Sequence, residues 1–373
     1  MGHVSPALDP YSSELPASGP YVTLGEGNTP TLPLERLAGE LGIGQIAAKL
    51  ESVNPTGAYS DRAAALTMTM ARQQDYRGWI VTTSGNAGLS MAAYGARAGL
   101  PGVVLLEDPV PEEKVSACMG YSAEVQLVHG VIEGDESRSN LIWLYDEVRA
   151  AAERYNLFIA TPNHLFNPEG IRALDTIGYE IAEQLPSATH VYVPTGSGAL
   201  IVAIGRALAQ RGLTPKLVAA QPAGCAPIAR YLVDHVATPE IERCYSHTSA
   251  LQQARPADGY AAADAVTASG GWGTMISDQA ILTAQRRLVA AEGLFVEPAA
   301  AAGLAALMTD IAAERIDQDA HPVIVLTSAG WKDLANGTLD ATPVDTIDVD
   351  DIPATVNDWA AMLDGTKQST APA

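Results

Sequence analysis

Four short strand-to-helix turns in this chain combine glycine with small hydroxyl and amide residues. The clearest is Thr83-Ser84-Gly85-Asn86-Ala87-Gly88, after the run ending Val81-Thr82 and before a helical stretch. Glycine lets the backbone close in on a ligand, and Thr, Ser and Asn side chains with free helix-start N–H groups can hold a carboxylate. A second turn, Pro194-Thr195-Gly196-Ser197-Gly198-Ala199-Leu200, has the nest-forming glycines that suit a phosphate. It is no P-loop, because Lys is absent, and no dinucleotide fingerprint, because Val202 stands where the last glycine would be. The others are Asn54-Pro55-Thr56-Gly57-Ala58-Tyr59-Ser60-Asp61-Arg62 and Leu326-Thr327-Ser328-Ala329-Gly330-Trp331-Lys332-Asp333. Taken singly, each also reads as an ordinary capped helix start or strand end.

The elements that must position these turns alternate along the chain. β-Branched runs occupy residues 79–82, 103–107, 125–128, 157–160, 190–193, 216–220 and 323–327. Ala-rich stretches of helical period occupy 61–74, 87–98, 139–155, 168–184, 199–210, 278–291 and 299–313. Strand and helix in repetition predict α/β architecture, with open, mostly parallel sheets flanked by helices. Ligands of such sheets sit beyond the carboxyl ends of the strands, where all four turns fall. Residues 246–273 have weak periodicity and read as irregular. The acidic segment from about 340 reads as surface tail, with one apolar piece at 359–363 and a disordered end.

Composition narrows the function. The chain has 373 residues, too many for one compact core, so two domains are expected. A net charge of −21 argues against nucleic-acid or membrane-surface partners. Cys118, Cys225 and Cys244 are scattered, which argues against a disulfide framework or a cysteine zinc site and favours a reducing, cytoplasmic setting. No signal peptide or membrane-spanning run is read. The seven histidines lack metal-ligand spacing, so no metal is expected. His164, in Pro162-Asn163-His164, could line a cleft; Cys225 reads as structural, and Asp350-Asp351 as solvated. Ser84 lacks the GxSxG elbow of a hydrolase nucleophile.

Together the turns resemble the fold-type II pyridoxal-phosphate enzymes, above all the threonine synthase branch. Leu24-Gly25-Glu26-Gly27-Asn28-Thr29-Pro30 is similar to that branch's opening motif, and Lys49-Leu50-Glu51 with Asn54-Pro55-Thr56-Gly57 to its next. Gln221-Pro222-Ala223-Gly224-Cys225-Ala226-Pro227-Ile228, Glu297-Pro298 and the turn at Thr327 follow in register. The resemblance implies a tryptophan synthase β-like fold with its site between two domains: a large one from residues 1–75 and 166–345, and a small inserted one at 76–165, followed by the tail at 346–373. It implies pyridoxal phosphate held at Gly196, Ser197, Gly198, Ala199 and Leu200. Asn86 would meet its ring and Thr327 its pyridine nitrogen. Thr83, Ser84, Gly85 and Ala87 would take the substrate carboxylate, with Tyr59 beside the reacting centre. It further implies a small amino-acid substrate, elimination or replacement at its β or γ carbon, and a homodimer.

One position departs sharply. The family's Schiff-base lysine falls at Ser60, and only Lys49, Lys114, Lys216, Lys332 and Lys367 occur in the chain. Serine has no amine to condense with an aldehyde and no useful basicity near neutrality. Lys49 and Lys332 read as solvated or paired strand-end residues rather than substitutes. Ala199, Ser328-Ala329 and Ala300 depart from the family pattern more mildly. Three readings stay open: an engineered knock-out of a working lysine, a natural lysine-less enzyme using non-covalent pyridoxal phosphate or none, and a binding pseudoenzyme.

Overall fold

The β-branched runs pair into two sheets. The computed structural model of the chain describes residues 8–131, 137–337 and 346–363. Its strands are β1 (Thr31–Pro33), β2 (Ala47–Leu50), β3 (Gly78–Thr83), β4 (Gly102–Glu107), β5 (Glu124–Val128), β6 (Leu157–Ile159), β7 (His190–Pro194), β8 (Lys216–Pro222), β9 (Trp272–Ile276) and β10 (Pro322–Leu326). Six of them form one sheet in the order β1-β2-β10-β7-β8-β9. Only β1 runs antiparallel to its neighbour; the register Val325↔Lys49 joins β10 to β2, and Val193↔Ala219 joins β7 to β8. The other four, in the order β5-β4-β3-β6, are parallel throughout. Both sheets lie within the unit formed by residues 1–338.

Parallel strands need crossovers, and helices supply them. They are α1 (Glu35–Leu41), α2 (Ser60–Gln73), α3 (Asn86–Ala98), α4 (Glu112–Met119), α5 (Ser137–Tyr155), α6 (Asp175–Gln184), α7 (Ala199–Gln210), α8 (Pro227–Val233), α9 (Gly259–Ala268), α10 (Asp278–Glu292), α11 (Pro298–Ala312) and α12 (Ile352–Leu363). The fold is α/β, two mostly parallel sheets flanked by helices. Two apolar layers cover the six-stranded sheet: α10 and α11 contribute to one, α6 and α7 to the other. In the four-stranded sheet, glycines make room for a bulky side chain. Trp79 of β3 lies against Gly95 and Gly102, where an added Cβ would fall 2.3 and 1.9 Å from its indole. α2 is buried on nearly all sides, so its first residues are held between the sheets' helices rather than in solvent.

Several elements differ from expectation. Residues 246–273 contain α9 and the start of β9, whose Ala- and Gly-rich sequence gives little apolar contrast between faces. The stretch at 168–184 is a 3-10 turn (Gly170–Leu174) followed by α6. The strands β1 and β2 fall outside the β-branched runs. Cys225 and Cys244 are joined in a disulfide, against the expectation from spacing: a loop brings their Cα atoms within 4.6 Å. Cys225 is structural as read, and Cys118 is free and buried. In the second unit, residues 339–373, the apolar piece at 359–363 belongs to α12; residues 364–373 are outside the described set.

Candidate functional site

The site is built from strand ends. β7 ends at Pro194, and the chain turns through Thr195, Gly196, Ser197 and Gly198 into α7. Gly198 has φ +101°, and a Cβ there would fall 2.9 Å from the Asp258 carbonyl oxygen and from the Ala262 methyl. No side chain caps the α7 N-terminus, so its first N–H groups and helix dipole are left for an anion. β3 ends at Thr83, and the turn through Ser84 and Gly85, with φ +129° at the glycine, starts α3 at Asn86. This N-terminus also lacks a side-chain cap.

One cleft joins these turns. It is concave and open to solvent at its mouth. Tyr59, Ser60, Thr83, Ser84, Asn86, Ala87, Gly196, Ser197, Gly198, Leu200 and Thr327 all line it. Of the thirteen site residues expected from sequence, Gly85 and Ala199 are outside the lining. Gly85 has the Lys114 side chain against its back, and Ala199 is buried in the α7 core. His164 is not in the lining either: it pairs with buried Asp258, Nδ1 to Oδ1 at 2.7 Å, behind the phosphate-type turn.

Ser60 is the first residue of α2, at the cleft floor. Its hydroxyl is 2.8 Å from that of Ser90. Ser90 is 3.1 Å from the Thr56 hydroxyl, which donates to Asp61 Oδ1 at 2.5 Å. Asp61 also accepts from the Thr56 N–H at 2.7 Å. Burial raises the Asp61 carboxyl above its usual range against these hydrogen bonds. Next to it, Arg62 is fully enclosed and spans Glu51 and Glu180 at 2.7 and 2.5 Å. Lys49 joins this cluster, 2.6 Å from Glu180, so it is a paired strand-end residue as read.

Sequence reasoning missed the groups that set the site's electrostatics. Glu297, at the start of α11, faces the cleft and accepts from Asn86 Nδ2 at 2.8 Å and from the Ser328 hydroxyl. Lys114 of α4 lies behind it in an ion pair at 3.1 Å with both side chains buried. Burial works against charge on Glu297, but Lys114 and the Ser328 hydrogen bond outweigh it and hold the carboxyl low. Lys332 is neither solvated nor hydrogen-bonded, contrary to expectation. Burial pushes its ammonium down to about 8, opposed by Glu297 and Asp61. Burial, and then Glu297, push the Tyr59 phenol up to about 12, so it stays neutral. Glu107, at the carboxyl end of β4, also lines the cleft. It is 6% exposed and has no charged or hydrogen-bonding partner among the described residues; burial alone pushes it up to about 7. Only its place as the polar last residue of a strand hinted at this.

The residues present fit pyridoxal phosphate in part. The uncapped α7 N-terminus with its glycine cradle suits the phosphate, and Thr327 and Asn86 lie in the same cleft. Asn86 Oδ1 is buried without a hydrogen-bond partner, an orphan that a ligand group could satisfy. No lysine, arginine or histidine is among the described lining residues.

Comparison with known proteins agrees with the geometry. Residues 22–328 match the family model described as pyridoxal-phosphate dependent enzyme. The chain is 33% identical over 371 residues to a threonine synthase of Halalkalibacterium halodurans, covering 96% of this chain and 97% of that protein. It is 31% identical over 338 residues to a threonine synthase of Methanosarcina acetivorans, covering 88% of this chain and 80% of the relative. Among solved structures, O-acetyl serine sulfhydrylase isoform 3 from Entamoeba histolytica superposes with a TM-score of 0.70 at 19% identity, over 89% of this chain and 94% of that one. O-ureido-L-serine synthase gives 0.67 at 23%, over 91% and 100%. At those identities the structures speak for the fold alone. The chain belongs to the pyridoxal-phosphate dependent enzyme family, in its fold-type II form, with threonine synthases as relatives.

Proposed function

We propose that the chain carries out threonine synthase-like elimination or replacement at the β or γ carbon of an amino acid, with pyridoxal phosphate seated in the cleft but not bonded to the protein. The observation that carries this reading is Ser60 opening on the same cleft as the Gly-Ser-Gly turn, the Thr83 turn and Thr327. When bound, pyridoxal phosphate supplies an electron sink for negative charge on the substrate carbons. The N–H groups at the start of α7 would hold its phosphate, with Thr327 and Asn86 available to its ring. Thr83, Ser84 and Ala87 take the substrate carboxylate with the α3 N-terminus behind them. The four-stranded sheet, within residues 76–165, then serves as the small substrate-side domain of the expected division.

Ser60 cannot condense with an aldehyde. It offers a hydroxyl tied to Ser90, which orients a ligand but does not act as a base near neutrality. Loss of a positioned proton-transfer group lowers rates by ~10²–10⁴-fold, so turnover below that of a lysine-bearing relative is expected. The reading holds whether the serine is native or was introduced.

The test compares the chain with its Ser60→Lys variant after adding pyridoxal phosphate. The unmodified chain is expected to retain the cofactor only reversibly, losing it on gel filtration. Ser60→Lys should gain a visible absorption band and, after borohydride treatment, one covalently attached cofactor by mass. A variant that folds but shows no band and retains no cofactor sinks the proposal.

A further inference from the structure

Beyond this reading of the site, and resting on it, Glu107 stands out. The cleft has two places built for anions, the uncapped N-termini of α7 and α3. Its remaining wall is of opposite character. Glu107 follows Leu106, the register partner of Thr83, so it sits at the strand end directly beside the Thr83 turn. The residue is only 6% exposed, and what it exposes opens on the cleft. The only other carboxylate among the described lining residues is Glu297, whose oxygens already face Asn86, Ser328 and Lys114. Glu107 has no such company.

A carboxylate on a cleft wall with no counter-charge among the described residues is a ready partner for a cationic ligand group. We propose that Glu107 recognises a positive charge on the side chain of the amino-acid ligand, so that the cleft selects a diamino or guanidino amino acid over a neutral or acidic one. With no lysine, arginine or histidine among the described lining residues, an acidic or phosphorylated side chain would find no counter-charge and would meet Glu107 instead.

The surroundings of Glu107 support this direction. Tyr145 of α5 shares the wall; burial first, and then Glu107 itself, raise its phenol far above the usual range, so it contributes a neutral hydroxyl. Arg149 and Asp258 act on Tyr145 with opposite sign. Arg255 borders a small adjoining cavity that Glu107 also lines, but its guanidinium donates to the Glu242 carbonyl instead. With burial holding the Glu107 carboxyl at about 7, a bound cation would draw it down and expel its proton. Affinity for a cationic ligand should therefore rise as pH rises through that value.

The test uses stable reduced conjugates of pyridoxal phosphate with ornithine, norvaline and glutamate, titrated by fluorescence against the full chain. The ornithine conjugate should bind at least about tenfold tighter than the norvaline conjugate at pH above 7, as expected for a charge-assisted contact, and glutamate weakest. That preference should shrink on acidification and disappear in Glu107→Gln, and ornithine binding should release a proton. The series on the unmodified chain decides the matter even if the variant fails to fold. Equal binding of ornithine and norvaline conjugates, or tightest binding of the glutamate conjugate, overturns the assignment of Glu107 while leaving the cofactor reading intact. If none of the three binds, the cofactor reading beneath it falls as well.

Discussion

The Ser60 and Ser90 hydroxyls lie 2.8 Å apart, linking the cleft floor to the buried Thr56–Asp61 pair. Ser60 thus occupies its place with a satisfied hydrogen bond rather than leaving a polar hole. Ser90→Ala removes the central member and leaves Ser60 and Thr56 each short of one partner. We expect a loss of about 1 kcal/mol in chemical denaturation, the usual worth of a buried neutral hydrogen bond. No loss would show that the hydroxyl chain is not a structural unit.

Lys332 gives a stability signature with a definite sign. Its folded-state value of about 8 lies below the ordinary 10.5, so the unfolded chain binds more protons between those pH values. Stability contributed by this residue therefore rises with pH across that window, and below it the buried ammonium is a burden. Lys332→Met should stabilise the chain near neutrality by roughly 3 kcal/mol, from 1.36 kcal/mol per pKa unit, and flatten the rise. An unchanged pH slope would show that Glu297 and Asp61 compensate the charge fully.

Gly198→Ala places a methyl in a left-handed backbone and against the Asp258 carbonyl. The strain, on the order of 1–3 kcal/mol, must be relieved by moving the turn. Pyridoxal phosphate affinity by fluorescence titration should fall at least about tenfold, since 1.4 kcal/mol is a factor of ten. Pyridoxal lacking the phosphate should be affected far less. Equal losses for both would detach the turn from phosphate binding.

The disulfide is directly countable. With Cys225 and Cys244 joined and Cys118 free, the chain denatured without reductant should expose one thiol, and three after reduction. Closing a loop across 19 residues contributes about 3 kcal/mol in the chain-entropy picture, so Cys225→Ala with Cys244→Ala should lower stability by about that amount. Three thiols before reduction would refute the pairing.

The parts legible in the sequence were those where local signals agree. Residues 199–210 combine an apolar helical period with a glycine entry, and α7 has those bounds. The run at 79–82 lies inside β3 because its apolar residues are continuous, as strands buried on both faces require. β2 escaped because Lys49 interrupts its apolar run; the lysine is tolerated because Glu180, distant in sequence, pairs with it and Thr29 and Gln184 accept its other hydrogen bonds. α9 escaped because alanine and glycine give little contrast between faces. In the site, turn chemistry revealed the anion-binding places. Glu107, Glu297, Lys114 and Lys332 did not show, since a charged residue's burial depends on neighbours from other elements.

The two sheets divide the labour of the cleft. The phosphate-type turn and Thr327 belong to strands of the six-stranded sheet, while the Thr83 turn and Glu107 belong to neighbouring strands of the four-stranded one. On the proposed reading, the grip on the cofactor's phosphate and the discrimination by Glu107 are written on separate scaffolds, with Asn86 of the second also meeting the cofactor ring. Such an arrangement lets one be retuned by mutation without disturbing the other, which is how a family with a common coenzyme can diversify its diet.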